Sequence, residues 1–241
     1  IDSPRERRKF LDRLVFSFDP GHSGRVTRYE NAMSQRSKLL KEEKNEPAWL
    51  DSLEAQMAET GVSIAAARLD FTARLQRVCD KEDHEHFPLA HLRAGGTIEE
   101  LLTSAPAIEV EEMFRYQLKE SRKYDAVSGG AATGPHKSDL VVCYAEKSMA
   151  ADQCSTGEQK ALLIGIILAH ARLIGFERGA PPVLLLDEVA AHLDEGRRKA
   201  LYDLLQGLGG QVWLTGTDKS LFDAIQGKAQ FFEIQNAAIK N

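Results

Sequence analysis

Residues 183–188 read Val-Leu-Leu-Leu-Asp-Glu, a run of apolar residues that ends in two acids. Such a run predicts a buried strand whose carboxyl end emerges at a site, which is where open α/β sheets bind ligands. An acid there can hold Mg²⁺ through water, and the next acid can orient an attacking water, so Asp187 and Glu188 are typical of a Walker B strand. A core strand that ends in a solvated acidic turn has the same pattern, and the motif alone leaves both interpretations open.

A second motif lies upstream, where residues 155–160 read Ser-Thr-Gly-Glu-Gln-Lys and open an apolar run that reaches residue 171. Ser155 followed by Glu158 predicts a capping box, and Gly157 leaves the first backbone amides open to a ligand. Unpaired amides and the positive end of the helix suit an anionic phosphate, although a plain capped core helix has the same sequence. We expect the apolar run to be a buried helix that is too short and too punctuated to cross a membrane.

The order of these motifs resembles the ABC-type ATPases of genome maintenance, in which a signature motif, a Walker B strand and a D-loop follow one another. The resemblance implies that the D-loop is Ala-His-Leu-Asp at residues 191–194. The signature would consist of Ser155, Thr156, Gly157 and Glu158, and the other nucleotide-site residues would be Asp187, Glu188 and Asp194.

Three longer segments resemble the RecF family of bacterial recombination mediators, and together the resemblance covers essentially the whole chain. They are Ser-Thr-Gly-Glu-Gln-Lys-Ala-Leu-Leu at 155–163, Thr-Gly-Pro-His-Lys-Ser-Asp at 133–139, and Ser-Pro-Arg-Glu-Arg-Arg-Lys-Phe-Leu-Asp at 3–12. The resemblance implies ATP and Mg²⁺ as cofactors, with Asp187 holding the metal through water and Glu188 guiding hydrolysis. It also implies a head-to-head homodimer with ATP between the subunits, duplex DNA near single-strand gaps as the target, and RecO and RecR as partners in loading the recombinase.

Two positions depart from the wider ABC pattern. Thr156 stands where many signatures have a first glycine, and Thr217 stands where transporters of this class place a histidine that senses the γ-phosphate. A hydroxyl polarises a phosphate less than an imidazole does, and it takes no proton at neutral pH. We therefore include Thr217 among the nucleotide-binding residues and expect slow, switch-like hydrolysis from the intact protein.

No Gly-x-x-x-x-Gly-Lys-Ser/Thr motif occurs anywhere in the sequence. The resembled family carries this P-loop in an N-terminal segment, and Ile1 falls within what resembles a later region. We expect a fragment that lacks the first part of the head, binds ATP poorly and hydrolyses none on its own. Whether the chain is an enzyme therefore depends on the intact form.

The predicted fold class is α/β: the C-terminal part of an ABC-type ATPase head, with a mainly parallel sheet and flanking helices, plus an α-helical arm with an antiparallel helical hairpin. The arm is assigned to residues 1–126, with the hairpin at about 20–82, and the head part to 127–241. A helix should begin after Ser3, where Pro4 takes the first helical position. In the head part, helices at 155–176 and 195–206 should alternate with strands at 183–187, 211–215 and 230–234.

Charge and cysteine content limit the classes of function. The 241 residues carry a formal net charge of -5, so any DNA surface must be a local basic patch that contacts phosphates without reading sequence. Three separated cysteines without a metal-ligand spacing, and no signal peptide or membrane span, indicate a cytoplasmic protein, and the family resemblance implies association with the nucleoid. The candidate basic residues, which can equally form solvated helix faces, are Arg5, Arg7, Arg8, Lys9, Arg13, Arg25, Arg28, Arg36, Lys38, Lys41, Arg115, Lys119, Arg122 and Lys123.

Two alternative functions remain open on the sequence. One is an SMC-like ATPase head, which the roughly 60-residue helical segment between Pro20 and Lys81 disfavours because it is too short for an extended coiled coil. The other is a non-enzymatic interaction module that offers only its signature face and helical arm, which the missing P-loop favours for this chain.

Overall fold

The structure is a computed structural model that describes residues 3–42, 46–81 and 85–240. The chain divides into two compact units. The first unit consists of the described residues up to 81 together with 89–154, and the second consists of 85–88 together with 155–240.

Long helices dominate the first unit. Its elements are α1 (Pro4–Phe16), α2 (His22–Lys41), α3 (Pro47–Cys79), β1 (Ala90–Gly95), α4 (Thr97–Leu102), α5 (Ala107–Glu120), α6 (Arg122–Ser128), β2 (Asp139–Tyr144) and β3 (Met149–Ala150). Helix α1 begins at the predicted proline, and α2 packs along α3, with the predicted connection at 45–47 lying partly outside the described residues. Tyr29, Met57 and Phe114 meet in a core shared by α2, α3 and α5.

A small antiparallel sheet joins the distant parts of the first unit. Strand β2 pairs with both β1 and β3, and Leu92 lies opposite Val142. Because of this pairing, residues 127–154 pack with the first unit, whereas the sequence groups them with the head part. The assignment of 1–126 to an arm and 127–241 to a head stays a prediction.

Helices and short strands alternate in the second unit. Its elements are α7 (Thr156–Arg178), β4 (Leu184–Leu186), α8 (Glu195–Leu208), β5 (Val212–Leu214), β6 (Glu233–Gln235) and β7 (Ala238–Lys240), with 3-10 turns at Val189–His192 and Lys219–Ile225. Strands β4 and β5 are parallel, with Leu186 opposite Leu214. The predicted α/β class is confirmed.

One face of the β4–β5 pair is covered and the other is open. Leu184 and Leu186 pack against a core that includes Leu201 of α8. The opposite face presents Leu185 and Trp213, which are 76% and 49% exposed. The expectation of a buried strand is therefore wrong for Leu185 within the described residues. Alternate residues of a strand point to opposite faces, and the helices of this unit cover only the face of Leu184 and Leu186.

The expected strand at 230–234 does not extend the parallel pair. Strand β6 begins only at Glu233 and forms an exposed antiparallel hairpin with β7. The connecting residues Asn236 and Ala237 both have positive φ, 51° and 60°, which is the geometry of a two-residue hairpin turn. This turn chemistry decides the pairing, and the predicted place of 230–234 in the parallel sheet is wrong.

Helix α7 spans Thr156–Arg178, close to the predicted bounds of 155–176. By length and composition it could cross a membrane, and within the described ranges it is the one helix of which this is true. The apolar run that ends at residue 171 is only the middle of this helix, and the expectation that it does not cross a membrane stays a prediction. Its residues Ala161 and Leu168 share a core with Leu201 and Leu205 of α8, which is the packing that the predicted core helix requires.

Candidate active site

Asp187 and Glu188 follow β4 directly, and a threonine on the neighbouring strand joins them. The Thr215 hydroxyl donates a hydrogen bond to Asp187 Oδ1 and accepts one from the Glu188 backbone N–H at 3.0 Å. The Thr215 N–H continues the parallel ladder by donating to the Leu186 carbonyl at 3.1 Å. One hydroxyl therefore holds the side chain of the first acid and the backbone of the second.

Glu188 has a backbone conformation that is unusual for a residue with a side chain. Its φ of 51° lies in the left-handed region, where non-glycine residues carry a steric cost. Such conformations persist where the surroundings fix them, and the Thr215 hydroxyl on the Glu188 N–H is one such restraint. Both acids are exposed, so their carboxylates are open to a ligand.

The start of α7 forms the capping box that the sequence predicts. The Ser155 hydroxyl accepts from the Glu158 N–H, and the Glu158 carboxylate accepts from the Ser155 N–H at 2.9 Å. The amides of Thr156 and Gly157 belong to the first turn, where no intrahelical acceptor exists. A Cβ at Gly157 would meet nothing within 4 Å, so these amides stand at an open surface. The site can therefore accept an anionic group at the helix start.

Asp194 caps the next helix. Its carboxylate accepts from the Arg197 N–H at 2.9 Å, and this hydrogen bond lowers the pKa of Asp194. Thr217 is exposed on the segment after β5. Among the described residues, no hydrogen bond links either of them to Asp187 or Glu188, and their predicted roles at the nucleotide stay predictions.

Sequence reasoning did not single out Thr215. Its role depends on register: because Leu186 pairs with Leu214, the next residues of the two parallel strands, Asp187 and Thr215, leave the sheet side by side. A hydroxyl directly after the neighbouring apolar strand was the signal that could have found it.

The donor set at this position fits a magnesium ion. Asp187 offers an exposed carboxylate with one oxygen already oriented, and no described residue bonds its second oxygen. Mg²⁺ keeps most of its water and needs only one or two protein carboxylates beside phosphate oxygens. The described residues do not form a metal centre made of protein ligands alone, because they contain no group of three His, Cys, Asp or Glu side chains that could hold an ion.

The segment at 133–139, which resembles the RecF family, makes hydrogen bonds to buried residues of the first unit. The Tyr29 hydroxyl donates to His136 Nδ1 at 2.8 Å, and His136 Nε2 then donates to the Ala131 carbonyl at 3.0 Å. Burial lowers the pKa of His136 to about 4, so the ring is neutral. Arg68 donates to the Pro135 carbonyl at 2.7 Å. These contacts indicate a structural role for a histidine that the sequence left without one.

Several of the candidate DNA-binding cations are used inside the first unit. Arg7 pairs with Asp139 through two hydrogen bonds of 2.8 and 2.5 Å, and Arg8 donates to the Ser138 carbonyl at 2.8 Å. Arg36 is completely buried, which corrects its place among the surface candidates. The exposed members of the set include Arg5, Lys9, Arg13, Arg28, Lys38, Lys41, Arg115, Lys119 and Lys123.

No protein-family model matches the chain. It is 48% identical over 235 residues to the DNA replication and repair protein RecF of Rhizobium etli (strain CIAT 652), a match that covers 97% of this chain and 63% of the relative. RecF of Agrobacterium fabrum is also 48% identical, over 98% of this chain and 63% of its own length. Over the length that it spans, this chain belongs to the RecF family.

The fold agrees with this assignment. A solved structure of the recombination mediator protein RecF-ATPrS in the RecFOR pathway matches 99% of this chain with a TM-score of 0.80, at 24% sequence identity and over 63% of that structure's chain. The chain thus spans somewhat less than two thirds of the RecF relatives that it matches. Between the RecF-like and SMC-like alternatives, these relatives decide for the first.

Proposed function

We propose that this chain is the signature and Walker B part of a RecF-like ATPase that acts in DNA replication and repair. The observation that carries the proposal is the arrangement of Asp187 and Glu188 around the Thr215 hydroxyl at the end of a parallel strand. Relatives named for DNA replication and repair at 48% identity support the same function.

In this proposal each residue has a separate task. Asp187 holds Mg²⁺ through water, and Glu188 orients the water that attacks the γ-phosphate of ATP. When bound, the metal ion neutralises charge on the phosphate oxygens. The open amides of Thr156 and Gly157, with Ser155 and Glu158 fixing the helix start, contact the phosphates of a nucleotide that the second subunit holds. Asp194 and Thr217 lie on the neighbouring loops and complete the nucleotide surroundings.

The two-sided site requires a second copy of the protein. A signature from one subunit and Walker B acids from the other produce a two-fold dimer with two nucleotides, which closes on ATP and opens after hydrolysis. Slow hydrolysis then makes ATP mainly a switch for dimerisation. We propose that the dimer acts in the cytoplasm, where it holds duplex DNA next to single-strand gaps. There it helps RecO and RecR to load the recombinase, in keeping with the RecFOR pathway of the matched structure.

Contacts to DNA would come from the exposed cations rather than from the whole surface. Arg5, Lys9 and Arg13 follow one another at four-residue intervals, so they share one face of α1, and all three are exposed. Arg7 and Arg8, which bind the 133–139 segment, hold that helix in place. Contacts of this kind neutralise phosphates without reading bases and weaken with salt.

The test of hydrolysis is Glu188→Gln in a full-length RecF-family protein that carries this segment. ATP turnover should fall by about 100-fold or more, because the carboxylate that orients the water is lost, while ATP binding is retained. Glu112→Gln, an exposed change on α5, serves as the matched control and should leave turnover unchanged. Wild-type turnover in Glu188→Gln would contradict the proposal. DNA binding without any ATP turnover in the wild-type protein would favour the interaction module.

A further inference from the structure

We infer that Thr215 is a positioning residue for both Walker B acids: its hydroxyl orients the Asp187 carboxylate toward a metal and fixes the backbone that carries Glu188. The inference rests on the proposed function and deepens it. It concerns a residue that neither the sequence motifs nor the predicted sensor position at Thr217 had identified.

The first contact of Thr215 is its hydrogen bond to Asp187. An exposed aspartate on a strand end can rotate about two side-chain bonds, and a metal ligand that rotates must be ordered when the metal binds. The Thr215 hydroxyl occupies Oδ1, so one oxygen is fixed while the second has no partner among the described residues. Side chains that orient a metal ligand in this way typically change metal affinity by about 10- to 100-fold when they are removed.

The second contact of Thr215 is the hydrogen bond that it accepts from the Glu188 N–H. The same hydroxyl accepts the Glu188 N–H at 3.0 Å, and that residue has the left-handed φ of 51°. A residue in this conformation needs outside contacts to keep it there. Without the Thr215 acceptor, the peptide between the two acids is freer to rotate, and the Glu188 carboxylate moves away from the position that orients water.

Threonine suits both tasks better than other residues of its size. A hydroxyl donates once and accepts twice, so it can serve Asp187 and Glu188 at the same time. The branched Cβ stiffens χ1, and the Thr215 N–H bond to Leu186 at 3.1 Å fixes the backbone beneath it. Valine has the same shape without the hydroxyl, and serine keeps the hydroxyl with a freer χ1. These two residues therefore separate the hydrogen bonds from the packing.

The position is exposed, which separates function from folding. Thr215→Val leaves the side-chain volume intact, and Thr215→Ala removes the hydroxyl without adding apolar surface. A circular-dichroism melting curve reports whether each variant stays folded. Thr27→Val is the matched control, because it removes an exposed threonine hydroxyl that bonds only to the Ser23 carbonyl of its own helix.

The experiment uses the full-length protein with ATP and measures both metal binding and turnover. Binding of Mn²⁺, followed by its electron paramagnetic resonance signal in the presence of ATP, should weaken by about 10- to 100-fold in Thr215→Val and Thr215→Ala. The Mg²⁺ concentration for half-maximal turnover should rise by a similar factor, and kcat should fall by about 10-fold as Glu188 is released. Thr215→Ser should stay within about 3-fold of the wild type in every measurement, and Thr27→Val should not change.

Two results would overturn the inference. Wild-type Mn²⁺ binding and Mg²⁺ dependence in folded Thr215→Val or Thr215→Ala would show that the hydroxyl has no positioning role. Losses in Thr215→Ser and Thr215→Ala beside a wild-type Thr215→Val would assign the effect to packing. Asp187→Asn separates this failure from failure of the proposed function: if it leaves metal binding unchanged, Asp187 does not hold the metal through water and the proposed function fails. If Asp187→Asn abolishes binding while Thr215→Val does not weaken it, only the positioning role fails.

Discussion

A group of arginines and acids in the first unit is buried and paired, whereas the acids at the strand and helix ends of the second unit are exposed. Arg36 is fully buried and reaches Glu54 and Asp125 at 2.8 Å each, together with the Leu118 carbonyl at 2.5 Å. Asp187 and Glu188 instead meet solvent, and the contact between them is a single threonine hydroxyl. The same residue types thus serve packing in one unit and an open site in the other.

Burial decides whether a charged side chain stabilises the fold or is available to bind a ligand. A buried ion has lost its water, so every hydrogen bond that it makes is needed, and removing one partner leaves an uncompensated charge. An exposed acid keeps its water and can exchange it for a ligand at small cost. We therefore expect large stability effects and no direct chemical role in the first unit, and the reverse in the second.

The largest effect should come from Arg36→Met. Asp125 would be left buried without an arginine and Glu54 would keep only Arg122, so the free energy of unfolding should fall by about 3–5 kcal/mol. Urea denaturation followed by tryptophan fluorescence measures the loss. The chain has 2 tryptophans, so a Trp213→Phe background leaves Trp49 as the reporter of the first unit. Arg28→Met, at an exposed site of the same helix, should change stability by less than about 0.5 kcal/mol. Equal effects of the two substitutions would break the comparison.

Gly134→Ala should cause the next largest loss of stability. Gly134 has φ of 136°, and an added Cβ would overlap the Tyr29 hydroxyl and lie 3.0 Å from His136 Nδ1. We expect a loss of about 2–3 kcal/mol from strain and from a displaced 133–139 segment. Gly24→Ala is the control: its Cβ would meet only the end of Arg28 at 3.9 Å, and within α2 it should stabilise by roughly 0.5–1 kcal/mol. A neutral Gly134→Ala would show that the segment is loosely held.

The pH dependence of stability should reveal the buried His136. Its pKa of about 4 lies below the ordinary value of 6.5, so the unfolded chain binds a proton at a higher pH than the folded chain does. The contribution is complete above the unfolded pKa and is lost as the pH falls toward the folded pKa, by roughly 2 kcal/mol between pH 7 and pH 4.5. Urea denaturation at the two pH values measures it.

His136→Gln isolates this effect from that of Asp12. Burial alone would raise the pKa of Asp12, but hydrogen bonds from His22 and Arg68 outweigh it and lower that pKa, so Asp12 also destabilises the fold in acid. The substitution removes only the histidine proton, and the variant should lose correspondingly less stability over the same pH range. An unchanged pH dependence in His136→Gln would contradict the assignment.

The smallest effects should appear at the open site. Asp194→Ala should cost about 1 kcal/mol, because it removes the cap that accepts the Arg197 N–H. Glu188→Gln, which keeps the shape of an exposed side chain, should stay within about 0.5 kcal/mol of the wild type in thermal or urea unfolding. A loss at Glu188 as large as that at Arg36 would mean that the second unit also uses its acids for folding.

Local chemistry could be predicted from the sequence, and tertiary register could not. The Ser155 and Glu158 capping box, the helix start at Pro4 and the strands after Val183 and Gln211 follow from neighbouring residues, and the structure confirms each of them. The burial of Arg36 and the contact of Thr215 with Asp187 depend on segments 18 to 89 residues apart in sequence. Periodicity along one helix or strand contains no information about such partners.

The two errors in the second unit have the same origin. Apolar content predicted a buried β4, but coverage depends on what packs against each face, and Leu185 is 76% exposed. The apolar residues Phe231 and Phe232 placed a strand at 230–234, but positive φ at Asn236 and Ala237 turns the chain into a separate hairpin. Hydrophobicity along the sequence identified these segments as strands, but it did not show which elements pack or pair with them. The functional roles of residues 155–158, Asp194 and Thr217 stay predictions.

The central claim is that the start of α7 and the end of β4 are two halves of a site that ATP completes between subunits. Sedimentation of the full-length protein tests it most directly, with Glu188→Gln used to retain ATP. With ATP, Glu188→Gln should sediment as a dimer, and adding Ser155→Arg should return it to a monomer, because the arginine fills the open surface at the helix start. A circular-dichroism melting curve verifies that the double variant is folded. A folded double variant that still dimerises with ATP would contradict the account.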